Sequence, residues 1–319
     1  MADEVDVAIA TYEELMDLEK DFDDVETEII RQQVAMTKSL YEKRATLVAK
    51  IPNFWALVFE QAPPDIDQYI QPSDSAVLLS SLTSVSVSHF EIENGGKGDP
   101  RSIAIKLEFS ENEWFEDKVL EKKFWYRVSK DGDEGLVSEP VPIKWKSAEK
   151  DLTQGMLDLV LKIWESDKKK GPSDSSKIKK ENEYTADEKS LKEKIEATGL
   201  GAVSFFGLFG YRGLDVSAEE SRIFLEEDNK KRAERAAGNI PDLEEIDDDE
   251  DEDEDDPLAL EIFPDGEEVA LTISDDLWPN AIKYFSQAQE VDVSDVDFED
   301  EDEDEEMGDD DEKPKANGS

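Results

Sequence analysis

The feature that most limits what this chain can become is a stretch of forty residues, 12 to 51, holding neither glycine nor proline. Within it Leu15, Leu18, Phe22, Val25 and Ile29 recur at spacings of three, four, three and four, and Met36, Leu40, Leu47 and Ile51 prolong the stripe. That period specifies one apolar face of an α-helix. A Thr11-x-x-Glu14 capping box is expected to open the helix, and Pro52 to close it. Forty helical residues extend about 60 Å, longer than one domain of this size can cover. The stripe therefore needs a covering surface, and two are open: the helix's own domain, or a second copy of the chain. The length favours the second copy, giving a homodimer with the stripe from Leu15 to Leu47 as its contact.

After the helix the period shortens and changes. Residues 53–60 form a short apolar helix closed by Pro63 and Pro64, and another short helix is expected over 73–82. From Thr83 apolar residues alternate with polar ones, a strand pattern that resumes at Ile103, Ile105, Leu107 and Phe109 after a glycine-rich turn. A third strand is expected over 118–128, a hairpin turn over 130–135, and a fourth strand over 136–145, which Pro140 and Pro142 confine to a sheet edge. Helical spacing returns at Leu152, Met156, Leu159, Val160, Ile163 and Trp164. Residues 166–184 read as a loop. Thr185 and Glu188 can cap a helix ending at Gly199, and Ser217 and Glu220 a charged helix reaching about Ala237, beyond the apolar segment 204–209. A last apolar helix centres on Trp278.

The expected fold class is α+β. The long helix precedes an antiparallel four-stranded meander with flanking helices. Its divisions are a flexible N-terminus (1–10), a dimerisation helix (11–52), an α+β body (53–289) with flexible insertions near 166–184 and 238–257, and a disordered acidic tail (290–319).

Charge then restricts the partners. The formal net charge is −48, and residues 242–319 hold 35 acids against three bases. Asp247 to Asp256 are ten consecutive acids, and Glu299, Asp300, Glu301, Asp302, Glu303, Asp304, Glu305 and Glu306 are eight more. Such runs self-repel and bury no area. A surface this negative repels nucleic-acid phosphates and suits a polycation, bound fast and in a salt-dependent manner. The lysines at 168–170, 177, 179 and 180, and Lys230-Lys231-Arg232, read as solvated loops, weak DNA contacts or nuclear-import signals. No stretch approaches the roughly 20 apolar residues of a membrane span. The N-terminus lacks the basic region of a secretion signal, and with no cysteine there is neither a disulfide framework nor a thiolate site. An intracellular location is expected.

Catalytic constellations are missing. One histidine, His89, and no cysteine leave no nucleophile and base to pair. The acid runs lack the spaced ligands and turn glycine of a calcium loop. The expectation is a protein that is not an enzyme, without metal, cofactor or small-molecule substrate. The aromatic clusters Phe54-Trp55, Trp114-Phe115, Phe124-Trp125-Tyr126 and Phe205-Phe206, with Trp278, are expected to fill the core.

Six motifs in order carry a resemblance. Residues 51–55 (IPNFW), 81–85 (SLTSV) and 109–120 (FSENEWFEDKVL) resemble the nucleosome assembly protein family, and residues 143–146 (IKWK), 204–206 (SFF) and 275–280 (DDLWPN) are most similar to its SET branch. The resemblance implies a headphone-shaped homodimer joined by the long helices and acting on core histones in the nucleus, with a cytoplasmic pool. It implies a chaperone that prevents nonspecific histone–DNA aggregation and promotes nucleosome assembly and disassembly. The alternative role it implies is a regulator that masks histone tails from acetylation or restrains a protein phosphatase. By the same resemblance Glu267, Glu268, Asp275 and Asp276 would face histones, joined by the connector acids Glu111, Glu113, Glu116 and Asp117. Against animal SET proteins the chain has a longer stretch between Tyr211 and Pro257, whose path the resemblance leaves open.

Overall fold

The computed structural model describes residues 2–170, 181–199, 203–237 and 258–297. Helix α1 runs from Ala2 to Val48, 47 residues. Residues 2–10, expected as a flexible N-terminus, are therefore helical, and Thr11 and Glu14 lie inside the helix rather than at its cap. Nothing between Ala2 and Ala10 breaks a helix, and lengthening an existing helix is far easier than nucleating one. At the other end the chain turns before Pro52, and Asn53 takes a left-handed backbone (φ 55°) from which α2 (Phe54–Glu60) starts. Five of its seven residues, Phe54, Trp55, Ala56, Val58 and Phe59, are buried. Helices α3 (Pro64–Asp67) and α4 (Pro72–Ser81) each begin on a proline, where the missing N–H would be unpaired in any case.

The sheet is the expected meander. Strands β1 (Leu82–Ser88), β2 (Ile103–Phe109), β3 (Val119–Val128) and β4 (Glu134–Ser138) lie in sequence order. All neighbours are antiparallel, with Val85 opposite Leu107 and Leu107 opposite Leu120. Alternation puts Val85, Val87, Ile103, Ile105, Leu107, Phe109, Leu120 and Phe124 into the core. Strand β4 stops at Ser138, not at Trp145. Pro140 and Pro142 cannot donate to a ladder, and a different segment covers this edge: Ser138 N–H donates to Arg212 O at 2.7 Å and Val141 N–H to Phe209 O at 2.8 Å. Trp145 pairs instead with Phe115 of the β2–β3 connector.

Behind the sheet lies a 3₁₀ turn, Phe205–Gly210, whose six residues are all buried. Phe206 is its centre, with ring centroids of Phe115, Trp145 and Phe205 within 5.9 Å. Asp74 fixes the turn to α4: its carboxylate accepts from Gln71 N at 2.9 Å, Phe205 N at 3.0 Å and Ser204 Oγ at 2.6 Å. Helices α5 (Met156–Lys170) and α6 (Ala186–Thr198) pack as a hairpin on the same side. Residues 166–170, expected in a loop, extend α5, because the first stop signal is Gly171-Pro172. The Thr185 box caps α6 as expected, with Thr185 N donating to Glu188 Oε2 at 2.6 Å and Glu188 N to Thr185 Oγ1 at 3.3 Å.

The long insertion leaves and rejoins the body at one place. Buried Glu261 accepts from Arg212 N at 2.9 Å and Gly213 N at 3.3 Å, so the two ends are stapled together. Between them α7 (Ala218–Ala236) starts on Ser217, whose side chain accepts from Glu220 N. Ser221 Oγ then accepts from Val128 N at 3.0 Å, docking the helix on β3. The C-terminal part comprises α8 (Gly266–Thr272), a π-helical turn (Ile273–Leu277) and α9 (Ala281–Asp297). Residues 290–297, expected within the disordered tail, are thus helical.

Candidate acidic and helical binding surfaces

The long helix presents three directions. The stripe faces outward: Leu15, Leu18, Phe22, Val25, Ile29, Met36, Leu40 and Leu47 are 49 to 77% exposed. A second direction lies on the body. The Tyr41 ring is 4.0 Å from that of Trp278, and Val48 is buried. Arg44 is buried among Tyr41, Trp55 and Trp278, its guanidinium 4.7, 5.7 and 4.6 Å from their centroids. Its Nη1 donates to Trp278 O at 2.5 Å and Pro279 O at 3.2 Å. Burial holds this guanidinium below its ordinary pKa. The helix thus lies on its own domain along one face and leaves the apolar stripe uncovered on another. The own-domain reading therefore holds for one face of the helix, and what covers the stripe is a separate question.

Farther toward the N-terminus the attachment becomes ionic. Lys20 Nζ donates to Glu134 Oε1 at 2.6 Å and Arg31 Nη2 to Gly98 O at 2.7 Å, so α1 crosses the end of the sheet where the β1–β2 and β3–β4 connections lie. The third direction meets α7. Arg232 bonds Asp21, and Asp24 at 2.9 Å, while Arg235 grips Asp17 with Nε at 3.0 Å and Nη2 at 2.5 Å. The hydrogen bond from Arg235 holds the Asp17 carboxyl below its ordinary pKa.

The candidate acids of the C-terminal part divide into two kinds. Glu268 and Asp275 are exposed, carried on α8 and the π-helical turn, whose Val269, Ala270, Ile273 and Leu277 are buried. Glu267 is half-buried and turned inward. Its Oε1 accepts from Leu136 N at 3.0 Å on the outer edge of β4, and Gly135 leaves the carboxylate room to approach. Burial raises its pKa. Asp276 is half-buried as well, accepting from Asn280 Nδ2 and Tyr284 Oη, each at 2.9 Å. The connector splits similarly. Glu111, Glu113 and Glu116 are exposed, whereas Asp117 accepts from Lys144 N at 2.7 Å and so joins the connector to the segment after β4. The acid runs Asp247–Asp256 and Glu299–Glu306 lie outside the described residues.

Several residues that organise these surfaces escaped the sequence reading. Lys122 is buried, its Nζ donating to the carbonyls of Glu139 (2.9 Å), Phe209 (3.2 Å) and Tyr211 (2.8 Å), and burial pushes its amino group down to about 7. Its place between Leu120 and Phe124 in strand alternation was the available signal. Arg232, read with Lys230 and Lys231 as an import signal or DNA contact, is engaged with α1. Lys168 bonds Glu139 at 2.9 Å and lies over the Trp164 ring.

Beside β4 the chain leaves a groove of about 120 Å³ lined in part by Leu136, Tyr211, Leu214 and Pro264. That is well below the roughly 300–1,000 Å³ of small-ligand sites. Among the described residues no cluster of His, Cys, Asp and Glu could hold a metal ion, and no helix is long and apolar enough to cross a membrane. What the described surface does carry is an apolar stripe on α1 and exposed acids on α8, the π-helical turn and the β2–β3 connector.

Comparison with known proteins bears on family and fold. A family model described as nucleosome assembly protein (NAP) matches residues 4–288. A putative nucleosome assembly protein of Schizosaccharomyces pombe is 27% identical over 301 residues, covering 91% of this chain and 85% of that protein. Protein SET of Drosophila melanogaster is 33% identical over 141 residues, 44% of this chain and 48% of that protein. Among solved structures, Vps75 aligns with a TM-score of 0.52 at 20% identity over 88% of this chain and 98% of that chain, a likeness of fold.

Proposed function

The chain belongs to the nucleosome assembly protein family, and on that premise we propose that it is a dimeric histone chaperone of the nucleus, with a cytoplasmic pool. The observation that carries the reading is the rim formed by α8 and the π-helical turn, where exposed Glu268 and Asp275 are set on a backbone locked by buried residues. A rigid pair of carboxylates binds Lys and Arg without paying the ordering entropy that a tail must pay. The acid runs supply long-range attraction that salt screens within about 10 Å. Exposed Glu111, Glu113 and Glu116 extend the rigid part of the surface.

The dimer would form through the stripe. Much of its spacing is mirror-symmetric about Arg31: antiparallel pairing sets Leu15 against Leu47 and Phe22 against Leu40, with Val25 meeting Met36 one residue out of register, while Leu18 and Ile29 have no apolar stripe residue opposite. A two-fold interface needs such self-complementarity.

Shielding would work by competition. Histone lysines and arginines satisfied by carboxylates cannot cross-link DNA at random, and DNA recovers the histones where its phosphate density is higher. Core histones mixed with DNA at physiological salt test this. The chain is expected to keep the mixture soluble and to yield ordered histone–DNA particles. Equal precipitation with and without the chain would overturn the proposal.

A further inference from the structure

We propose that α7 is an autoinhibitory latch: its arginines occupy in cis a guanidinium-binding shoulder of α1 that an arginine-rich peptide segment can occupy in trans. The shoulder is formed by Asp17, Asp21 and Asp24, carboxylates at i, i+4 and i+7 that stand one above another on a single helix face. What marks it as a binding site is that guanidinium groups already sit in it. Arg235 takes Asp17 with two nitrogens, the geometry in which a planar guanidinium fits a carboxylate best, and Arg232 bridges Asp21 and Asp24.

The exposure is uneven. The arginine side chains are only 22% and 21% exposed and Asp17 is 24% exposed, whereas Asp21 and Asp24 remain 64% and 69% exposed. The site is therefore filled yet open to solvent along one side, where an incoming chain can begin to exchange. Helix α7 is suited to move. Its N-terminal end is fixed by Ser221 on β3, Ser221 is its one buried residue, and its outward face is mostly charged, with Ile223 and Leu225 also exposed. Asp21 and Asp24 keep water on their outer side, so a multivalent cation can exchange into the shoulder stepwise without unfolding the body. The staple at Arg212, Gly213 and Glu261 would keep the insertion attached while its far end lifts.

The arginine-rich ligand is chosen by chemistry. Only its origin, a histone segment, rests on the chaperone reading. The test uses the full chain and a synthetic octa-arginine peptide. Arg232→Gln with Arg235→Gln empties the shoulder and is expected to tighten peptide binding about tenfold. Lys230→Gln with Lys231→Gln makes the same charge change beside the shoulder and is expected to gain less than threefold. Adding Asp17→Asn, Asp21→Asn and Asp24→Asn to the arginine variant should abolish the gain. Equal gains in the two double variants, or a gain that survives the asparagines, would overturn the latch. Amide exchange on the unmodified chain provides an independent readout. Peptide binding should accelerate exchange in residues 222–236 several-fold while leaving β3 unchanged, and α7 exchange that stays constant at saturation would also overturn it. A chain that binds the peptide without releasing α7 would still satisfy the chaperone proposal, so the two readings fail separately.

Discussion

The two ends of α1 are held to the same body by different physics. Near Val48 the helix is embedded: Tyr41 lies against Trp278, Arg44 sits among Tyr41, Trp55 and Trp278 and donates to two carbonyls, and Val48 is buried in the core. Between Asp17 and Arg31 it is tied by Lys20, Arg31, Arg232 and Arg235, with most of the partner carboxylates in contact with water. The embedded end fixes the direction in which the helix leaves the body. The ionic end is the one expected to adjust or release under salt, competing charge or proton concentration. A helix with one firm and one loose attachment can hold its apolar stripe in a constant position while, on the latch proposal, its shoulder exchanges partners.

The largest effect should come from the stripe, which neither attachment uses. Phe22→Glu with Ile29→Glu places two charges on the uncovered face, and light scattering should fall from twice the 36.1 kDa chain mass to that mass, with the circular dichroism of the body retained. An unchanged mass would show that something other than a second copy covers the stripe.

At the embedded end, Arg44→Ala leaves the Trp278 and Pro279 carbonyls without their donor and empties the space between three rings. A loss of about 3 kcal/mol in denaturant unfolding at fixed protein concentration is expected. A loss under about 1 kcal/mol would mean that this end is no firmer than the other. At the ionic end, Arg235→Gln breaks a two-nitrogen pair whose side chains are 21% and 24% exposed; it should cost about 1 to 2 kcal/mol, less than Arg44→Ala, and should speed amide exchange in residues 14–24 without affecting 41–48. Raising salt to about 0.5 M, where screening acts within a few ångströms, should reproduce that asymmetry in the unaltered chain.

The smallest effect concerns pH. The Asp17 pKa is lowered in the folded chain by its hydrogen bond from Arg235. The contribution of this pair is therefore complete above the unfolded value of about 4 and is lost as pH falls through the folded value. Exchange at residues 14–24, corrected for the intrinsic rate, should be flat from neutral pH to about 5 and rise only below about 4.

Much of this architecture was written locally. The stripe, the β2 alternation and the Thr185 box each depend on residues a few positions apart, and each appears where periodicity placed it. The errors at β4 and α5 were errors of extent. Pro140 told where a ladder could not continue, but not that residues 209–212 would replace it. The roles of acids were the least legible. Glu267 and Glu268 are adjacent and chemically alike, yet one caps β4 and the other meets solvent, a difference set by Leu136, 131 positions away in the chain. The Arg232–Asp21 pair spans 211 positions. Separations of that size leave no periodic trace, so only the folded chain distinguishes an acid engaged in the body from one free to receive a ligand.

That distinction also supplies the most direct test of the chaperone proposal. Core-histone affinity at physiological salt should be measured for Glu268→Gln with Asp275→Asn, and for Glu267→Gln with Asp276→Asn, in chains of full length so that the acid runs contribute equally. The exposed pair should weaken binding about tenfold, as loss of two charge-assisted contacts implies, and the engaged pair less than threefold. Equal affinities for the exposed-pair variant and the unaltered chain would contradict the rigid acidic rim as the histone surface.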